Sequence, residues 1–261
     1  MNEVNKTLYI PLYGKSYVSK LNMILKDSMA ENIWAEESFP LKRKSKSKWL
    51  TYNMAMRARV FDDWTDAMLT ENKEAVVIHI GCGLDSRCLR VKRKYEKWAD
   101  CDLPEVIDVR EKYFTNSDTY EMIPVDAADP EQISKLPDGD TAIVILEGLC
   151  MYLTNEQVRE LLKALKNKYA SLHILMDVYT EFGAKASKIK NPISEVGVTE
   201  VYGIDHIEDI IGDLDIRLKA EHSFTPGNLI EELPQSDQRV FRLLYTGSLY
   251  GKIYRMFELE A

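Results

Sequence analysis

The chain has 261 residues, is 45% hydrophobic and 29% charged, and carries a formal net charge of −8, as expected of a globular protein with a substantial core. No apolar run approaches the roughly 20 residues of a membrane span, and the N-terminal sequence MNEVNKTLYIPLYGK lacks the pattern of a signal peptide, so we predict a cytoplasmic protein with no membrane partner. The acidic balance argues against general nucleic-acid binding, because affinity for the phosphate backbone comes mainly from Lys and Arg.

The first 70 residues are rich in helix signals and predict an N-terminal helical cap. From Trp49 to Leu69 apolar residues recur at helical spacing, and Arg57 lies on the stripe that they form. A guanidinium on such a face either follows its aliphatic stem to the surface or pairs with an anion. The basic segment LKRKSKSK at positions 41–48 has no Tyr or Phe between its charges, so we predict a solvated mobile loop rather than a contact with RNA or an acidic substrate.

From Ala75 onwards, short apolar runs alternate with helical patterns. We predict seven strands, AVVIHI, YEKWADCD, TYEMIPVD, TAIVILEG, SLHILMDVY, DIRLKAEHSF and KIYRMFELE. The segments between the first five are predicted helices: SRCLRVKR, EVIDVREKYF, PEQISKLP and NEQVRELLKALKNKY. Strand and helix in alternation predict an α/β fold with a parallel sheet covered on both faces. We find no repeat and no long linker, and predict one domain over residues 1–261, in which residues from about 180 to 210 form a substrate-covering insertion.

Two glycines, Gly81 and Gly83, follow the first strand and predict a turn that lets backbone approach a ligand closely. Such a turn also occurs in many folds without a ligand. Three carboxylates at successive strand ends add to it: Asp102, Asp126 and Glu147. Asp102 comes 21 residues after Gly81, where an acidic side chain can accept from both hydroxyls of a ribose. Each carboxylate could instead cap the helix after its strand, but together they predict a nucleoside site.

The identity of the nucleoside depends on Ser86. A dinucleotide-binding turn has the pattern G-x-G-x-x-G, and Ser86 stands where the third glycine is needed. The turn GCGLDSR therefore fits NAD poorly and fits a ligand with a ribose and no phosphates, such as S-adenosylmethionine. The cationic sulfonium of that ligand also suits an acidic edge of the sheet.

Metal chemistry finds no support in the pattern of ligands. The four cysteines, Cys82, Cys88, Cys101 and Cys150, form no C-x-x-C pair, and the four histidines are scattered. Structural and catalytic metal sites need clustered ligands at regular spacing. We therefore predict no metal and reduced, mostly buried thiols.

Several motifs together resemble the leucine carboxyl methyltransferase family, in its bacterial branch of polyketide O-methyltransferases. They are VVIHIGCGLDSRCLRV, DCDLPEVIDVR and LEGLCMYLT, with LYIPLYGKSYVSK and NMAMRARVFDDW nearer the N-terminus. After about Tyr179 the chain matches only in outline. The resemblance implies a class I methyltransferase fold, which is a Rossmann-like seven-stranded sheet with an antiparallel last strand. It also implies S-adenosylmethionine as cofactor and S-adenosylhomocysteine as product.

The nucleoside half of the cofactor has family positions in this sequence. The resemblance implies that Gly81 lies under the cofactor, with Gly83 in the same turn, and that Asp102 binds the ribose. Asp126 and Ala127 flank the adenine, although family members often carry Leu where this chain has Ala127.

The amino-acid end of the cofactor is implied to meet Lys15, an arginine of the RAR sequence, and Glu147, which faces the amino group. Arg57 and Arg59 are two residues apart, about 200° around a helix, so both are not expected to face one site. Arg57 shares the apolar face, where a guanidinium is costly without an anion, and the carboxylate of the cofactor would be that anion. We therefore predict Arg57 as the ligand.

The acceptor is predicted to be a carboxylate or a phenolic hydroxyl of a small molecule. Tyr152 and Tyr179 follow strand ends and are predicted to line its pocket, unless they only pack there. A carboxylate is ionised at neutral pH and needs no base, whereas a phenol does; no catalytic base is identified, and His206 is more typical of a surface residue. Two alternatives stay open: a protein carboxyl methyltransferase whose basic segment at 41–48 binds an acidic partner, and a nucleoside-binding module without turnover.

Overall fold

The computed structural model describes residues 5–42, 44–190 and 200–261. Its helices are α1 (Tyr9–Lys20), α2 (Ser28–Glu37), α3 (Lys48–Glu71), α4 (Arg87–Arg90), α5 (Pro104–Arg110), α6 (Asn155–Lys168), α7 (Glu181–Lys190), α8 (Glu208–Ile211), α9 (Gly227–Glu231), α10 (Gln235–Tyr245) and α11 (Gly247–Gly251). Its strands are β1 (Val76–Ile80), β2 (Lys97–Asp102), β3 (Tyr120–Pro124), β4 (Thr141–Leu146), β5 (Ser171–Tyr179), β6 (Arg217–His222) and β7 (Tyr254–Glu260). Among these residues, no helix combines the length and hydropathy needed to cross a membrane.

The seven strands form one sheet in the order β3-β2-β1-β4-β5-β7-β6. β1 pairs in parallel with β2 and β4, and β5 continues this parallel arrangement. β7 lies between β5 and β6 and is antiparallel to both. All seven predicted strands are confirmed, and so is the prediction of a mostly parallel sheet whose last strand is antiparallel. The strand order reverses between β1 and β4, where an open α/β sheet places its ligand.

Helices pack on both faces of the sheet. Ile78 and Ile80 of β1 belong to a core shared with α6, whereas Val77 belongs to a second core shared with α1, α3 and α5. Alternate residues of a strand point to opposite faces, so a strand that is buried throughout must be covered on both. The predicted helix PEQISKLP is a 3₁₀ helix, Pro130–Lys135, because Pro137 ends the segment before a second α-helical turn can form.

The N-terminal helices form a layer over the carboxyl ends of the central strands. α3 contacts β4 and β5, and α1 packs against both α2 and α3. Of the basic segment, Lys42, Lys44 and Lys46 are exposed, and Arg43 lies outside the described residues. The Lys46 ammonium lies over the rings of Tyr13 and Trp34, at 5.8 and 5.7 Å from the ring centroids.

Candidate active site

A cavity of about 350 Å³ lies at the carboxyl ends of β1, β2, β4 and β5. The loops after these strands form one wall, and α1 and α3 form the other. All ten residues predicted from the sequence line this cavity: Lys15, Arg57, Gly81, Gly83, Asp102, Asp126, Ala127, Glu147, Tyr152 and Tyr179. Residues from seven separate segments of the chain are thus brought to one place.

The turn after β1 needs both of its glycines. Gly81 has a φ of +73° and Gly83 a φ of +53°, in the left-handed region that side chains rarely adopt. A Cβ on Gly81 would lie 3.1 Å from the Leu149 side chain, and one on Gly83 would lie 3.3 Å from Leu8. The glycines therefore give the turn its shape and keep the floor of the cavity free of side-chain atoms.

Asp102 braces this turn and also lines the cavity. Its Oδ2 accepts the Gly83 N–H at 2.7 Å, and its Oδ1 accepts the Leu103 N–H at 2.8 Å. Burial raises the pKa of Asp102, and these two backbone hydrogen bonds offset part of the rise. Each carboxylate oxygen can accept a further hydrogen bond. The side chain can therefore hold the turn and still bind a hydroxyl in the cavity.

Asp126 and Ala127 lie in the loop that follows β3. The strand ends at Pro124, so Asp126 stands two residues beyond it rather than at its last position. Oδ1 of Asp126 accepts the Ala128 N–H at 2.9 Å, which makes a tight turn. Ala127 is buried and adds an apolar surface to the same wall.

Lys15 reaches the cavity from α1 and is buried there. Its Nζ lies 2.7 Å from Oδ2 of Asp85, and Oδ1 of Asp85 accepts from Arg90 at 2.8 Å. Burial alone would raise the pKa of Asp85, but the charges of Arg90 and Lys15 hold it well below its usual range. Asp85 also lines the cavity. The sequence reasoning missed it, although it lies within the quoted motif GCGLDSR.

Arg57 is 4% exposed and is held by two carboxylates. Its Nε donates to Oε1 of Glu147 and its Nη1 to Oδ2 of Asp177, both at 3.0 Å. The expectation that a ligand must supply the anion for this buried guanidinium is therefore wrong, because the protein itself supplies two. Arg59 points elsewhere, since it pairs with Asp63 and the Ile24 carbonyl and does not line the cavity.

Glu147 is the centre of this set of charges. It follows the last residue of β4 and pairs with Arg57 on one side and Arg87 on the other. Burial would raise its pKa, but the charges of Arg87, Arg57 and Lys15 lower it to about 2. Glu147 is therefore ionised at neutral pH. Arg87 and Asp177 were not identified from the sequence; the one signal for Asp177 was a carboxylate inside the apolar run SLHILMDVY.

Three tyrosines line the cavity: Tyr152, Tyr179 and Tyr254. The ring centroids of Tyr179 and Tyr254 lie 4.2 Å apart, with the ring planes tilted by 32°. Burial raises the pKa of Tyr152 and that of Tyr254. Tyr254 is in the last strand and was not predicted as a site residue.

Residues of the predicted insertion pack against these tyrosines. Ala184 of α7 and Val201 pack in the same apolar cluster as Tyr179. Of the residues from 180 to 210, those at 191–199 lie outside the described part of the chain, and no other residue of that range lines the cavity. A substrate-covering role for this segment stays a prediction.

The two histidines considered from the sequence differ in place. His79 is buried in β1, where it lines the cavity and its Nε2 lies 3.4 Å from Nη1 of Arg87, whereas His206 is exposed and outside the cavity lining. The four cysteines are buried and unpaired. Within the described residues, no group of three or more His, Cys, Asp and Glu side chains could hold a metal ion.

Comparison with protein families and curated proteins gives consistent matches. The family model described as leucine carboxyl methyltransferase matches residues 11–166. The chain is 26% identical over 203 residues to the tetracenomycin polyketide synthesis O-methyltransferase TcmP of Streptomyces glaucescens, covering 77% of this chain and 75% of that protein. It is 29% identical over 181 residues to the S-adenosyl-L-methionine-dependent methyltransferase dpfgK of Gibberella zeae, covering 63% of this chain and 61% of the relative.

Solved structures resemble the fold at low sequence identity. Magnesium protoporphyrin IX methyltransferase from Synechocystis PCC 6803 with bound SAH has a TM-score of 0.50 at 13% identity, covering 82% of this chain and 88% of that chain. The methyltransferase domain of bacterial-CtHen1-CN has a TM-score of 0.51 at 12% identity, covering 78% and 99%. The fold is therefore that of class I methyltransferases.

Proposed function

The chain belongs to the leucine carboxyl methyltransferase family, and on this basis we propose that it transfers a methyl group from S-adenosylmethionine to an oxygen of a small-molecule acceptor, a carboxylate or a phenolic hydroxyl. Membership of the family supports S-adenosylmethionine as the methyl donor. The oxygen acceptor on a small molecule is our proposal, and the features of the cavity support it.

The shape and donor set of the cavity fit the cofactor. The two left-handed glycines leave the floor of the cavity open, and a Cβ at Gly81 would fill it. Carboxylates, two buried cations and apolar residues all line the cavity, and this set of groups matches a ligand that has a ribose, an amino acid and a purine. The absence of a third glycine at Ser86, which is fully buried and hydrogen-bonded to Asp27, matches a ligand without phosphates.

The nucleoside end of the cofactor would be held beside β1, β2 and β3. Asp102 would accept the ribose hydroxyls while it keeps its bonds to the turn. Asp126 and Ala127 would flank the adenine, with Ala127 giving the apolar contact. Gly81 and Gly83 would let backbone approach the sugar.

The amino-acid end would lie between α1, α3 and the end of β4. Lys15 and Arg57 are the two cations that line the cavity among the described residues, and they would meet the carboxylate. Glu147 would face the amino group, for which a carboxylate with a pKa of about 2 is ionised at neutral pH. These contacts align the ligand, and alignment of reacting groups can contribute on the order of 7 to 11 kcal/mol to a rate.

When bound, the cofactor supplies an electrophilic methyl group on its sulfonium. The protein then has to hold the acceptor oxygen in line with that group and keep water away. Tyr152, Tyr179 and Tyr254 form an aromatic wall for this purpose. Met54 and Leu50 of α3 add apolar surface to the cavity and favour exclusion of water.

The observation that favours a carboxylate acceptor is that each carboxylate lining the described cavity already has a partner, and that the ring nitrogens of His79 face Arg87 and Asp100. Asp85 binds Lys15 and Glu147 binds Arg57, while Asp102 and Asp126 accept backbone N–H groups. The pKa of Asp85 and that of Glu147 are lowered, which makes both poor proton acceptors. A carboxylate acceptor is already ionised and needs no base to remove a proton, whereas a phenol would need one.

The experiment uses S-adenosylmethionine labelled in its methyl group, with a cell extract separated into protein and metabolite fractions. We expect label in the metabolite fraction, and we expect mild alkali to release it as methanol, because methyl esters hydrolyse in base and aryl methyl ethers do not. Label that resists alkali would identify a phenol as acceptor. Label in the protein fraction would contradict a small-molecule acceptor.

A further inference from the structure

Asp177 is a carboxylate in the centre of the sheet, and it does not line the cavity. It stands in β5 with an exposed fraction of 0%. Burying an ionised group costs several kcal/mol, and an ion pair in the interior is often no more stable than apolar residues of the same volume. Stability is therefore a weak reason for an aspartate at this position, and its contacts offer a better one.

Both oxygens of Asp177 bind groups that do line the cavity. Oδ2 accepts from Nη1 of Arg57 at 3.0 Å, and Oδ1 accepts the backbone N–H of Gly148. Gly148 has a φ of +67°, a conformation that residues with a side chain rarely adopt. A Cβ on Gly148 would lie 3.2 Å from the Arg57 guanidinium, so the two groups are packed against each other.

The guanidinium of Arg57 is held at two of its nitrogens. Nε binds Glu147 and Nη1 binds Asp177, while Nη2 has no hydrogen-bond partner among the described residues. Two bonds in different directions fix the plane of a guanidinium, and a single bond leaves it free to rotate. Asp177 therefore decides which way the third nitrogen points.

We infer that Asp177 is a positioning residue that acts through Arg57 and Gly148, and that it sets the affinity of the site for the amino-acid carboxylate of the cofactor. This inference rests on the proposed function, because it takes Arg57 as the partner of that carboxylate. Asp177 itself touches no ligand. Loss of its charge would leave Arg57 tied to Glu147 alone, with its guanidinium no longer directed into the cavity.

The test compares two ligands that share the adenosine part. S-adenosylhomocysteine carries the amino-acid carboxylate, and methylthioadenosine lacks it. We expect Asp177→Asn to weaken S-adenosylhomocysteine by at least about tenfold in calorimetric titration, as for the loss of one charged hydrogen bond. Methylthioadenosine should bind as it does to the unaltered protein, because the adenosine contacts lie at Gly81 and Asp102.

The matched control is Asp237→Asn. Asp237 is also a buried carboxylate with two side-chain partners, Lys48 and Tyr52, but neither it nor those partners line the cavity. We expect this variant to melt at a lower temperature and to keep the ratio of the two affinities. A general loss of stability would weaken the binding of both ligands to the same extent. The ratio of the two affinities therefore distinguishes it from a positioning effect.

Equal weakening of both ligands by Asp177→Asn, or no change in either, would overturn the inference. If Asp177→Asn does not fold, Asp177→Ser serves in its place, since its shorter side chain removes both contacts without placing an amide donor beside Arg57 or the Gly148 N–H. Failure of the proposed function has a different signature, because the unaltered protein would then bind neither ligand.

Discussion

Nε of Arg57 lies 3.0 Å from Oε1 of Glu147, although 90 positions separate the two residues in the sequence. One belongs to the helical layer that covers the sheet, and the other follows the last residue of β4. The guanidinium is thus oriented at the cavity before a ligand arrives. A preoriented group loses less conformational freedom on binding, so its contact with an anion is stronger than that of a mobile surface arginine.

Arg57→Ala is expected to weaken S-adenosylhomocysteine markedly and methylthioadenosine little, because only the first ligand has a carboxylate. The control is Arg59→Ala, two residues along α3, which should weaken neither ligand much because Arg59 pairs with Asp63 outside the cavity. Calorimetric titration of both variants measures this. Since Arg57→Ala also leaves Asp177 without its cation and removes one of the two arginines bound to Glu147, its melting temperature should fall. A selective loss in Arg59→Ala would assign the site to the other arginine.

Asp102→Ala should weaken the cofactor at least tenfold, since each hydrogen bond from a ribose hydroxyl to a carboxylate is worth roughly 1.5 to 3 kcal/mol. A second variant serves as a control, because Asp102 also accepts a hydrogen bond from the Gly83 N–H. Asp102→Asn keeps an oxygen for that bond and loses the charge, so it should retain the fold and lose affinity. Circular dichroism and titration with S-adenosylhomocysteine are the measurements. Unchanged affinity in a folded variant would remove Asp102 from the site.

NAD should not bind measurably, whereas S-adenosylmethionine and S-adenosylhomocysteine should. Ser86 takes the place of the third glycine of a dinucleotide turn, and its hydroxyl lies 2.6 Å from Oδ1 of Asp27, which fills the space beside the helix α4. Titration of the protein with each of the three compounds decides. Tight NAD binding without a response to the methyl donor would contradict the cofactor assignment.

Acid should destabilise the protein in part through Asp100. Burial alone would raise its pKa, but the charge of Arg110, the nearby His79 ring and the hydrogen bond from Trp98 lower it from 3.8 to about 2. A carboxylate whose pKa is lower in the folded state adds stability above its unfolded pKa and loses it as the pH falls towards the folded value.

The corresponding experiment compares the unaltered protein with Asp100→Asn. The difference in their free energies of unfolding should be constant above pH about 5 and should shrink by roughly 2 kcal/mol between pH 4 and pH 2. Urea titrations at several pH values measure it. A difference that does not depend on pH in that range would show that Asp100 is not held ionised by its partners.

The strands of the sheet and most of the residues that line the candidate site could be predicted from the sequence for physical reasons. Buried parallel strands show as short apolar runs, and a turn such as Gly81 to Gly83 is visible because few other residues tolerate its backbone. Since the carboxyl ends of parallel strands share one edge, residues after those strands, Asp102 and Glu147 among them, were expected to meet. They do line one cavity.

The pairing of the charges could not be predicted, because it depends on which side chains the packing brings together. Nothing in the sequence says that Arg57 meets Asp177, 120 residues away, rather than a ligand. Tyr254 could not be predicted as a site residue for a similar reason, since only the pairing of β7 with β5 brings it against Tyr179. Such contacts are properties of the tertiary structure and leave no local pattern.

The ion pairs between α3 and the sheet bear on how the molecule unfolds. Asp62 and Arg57 of α3 find their partners, Arg87 and Glu147, only after the connection to β1. If α3 detached while the sheet stayed folded, buried charges would be left unpaired on both sides, at a cost of several kcal/mol for each broken pair. Partial opening is therefore disfavoured relative to complete unfolding, and the helical layer and the sheet form one cooperative unit. The amide hydrogens of α3 should accordingly exchange with solvent as slowly as those of β4.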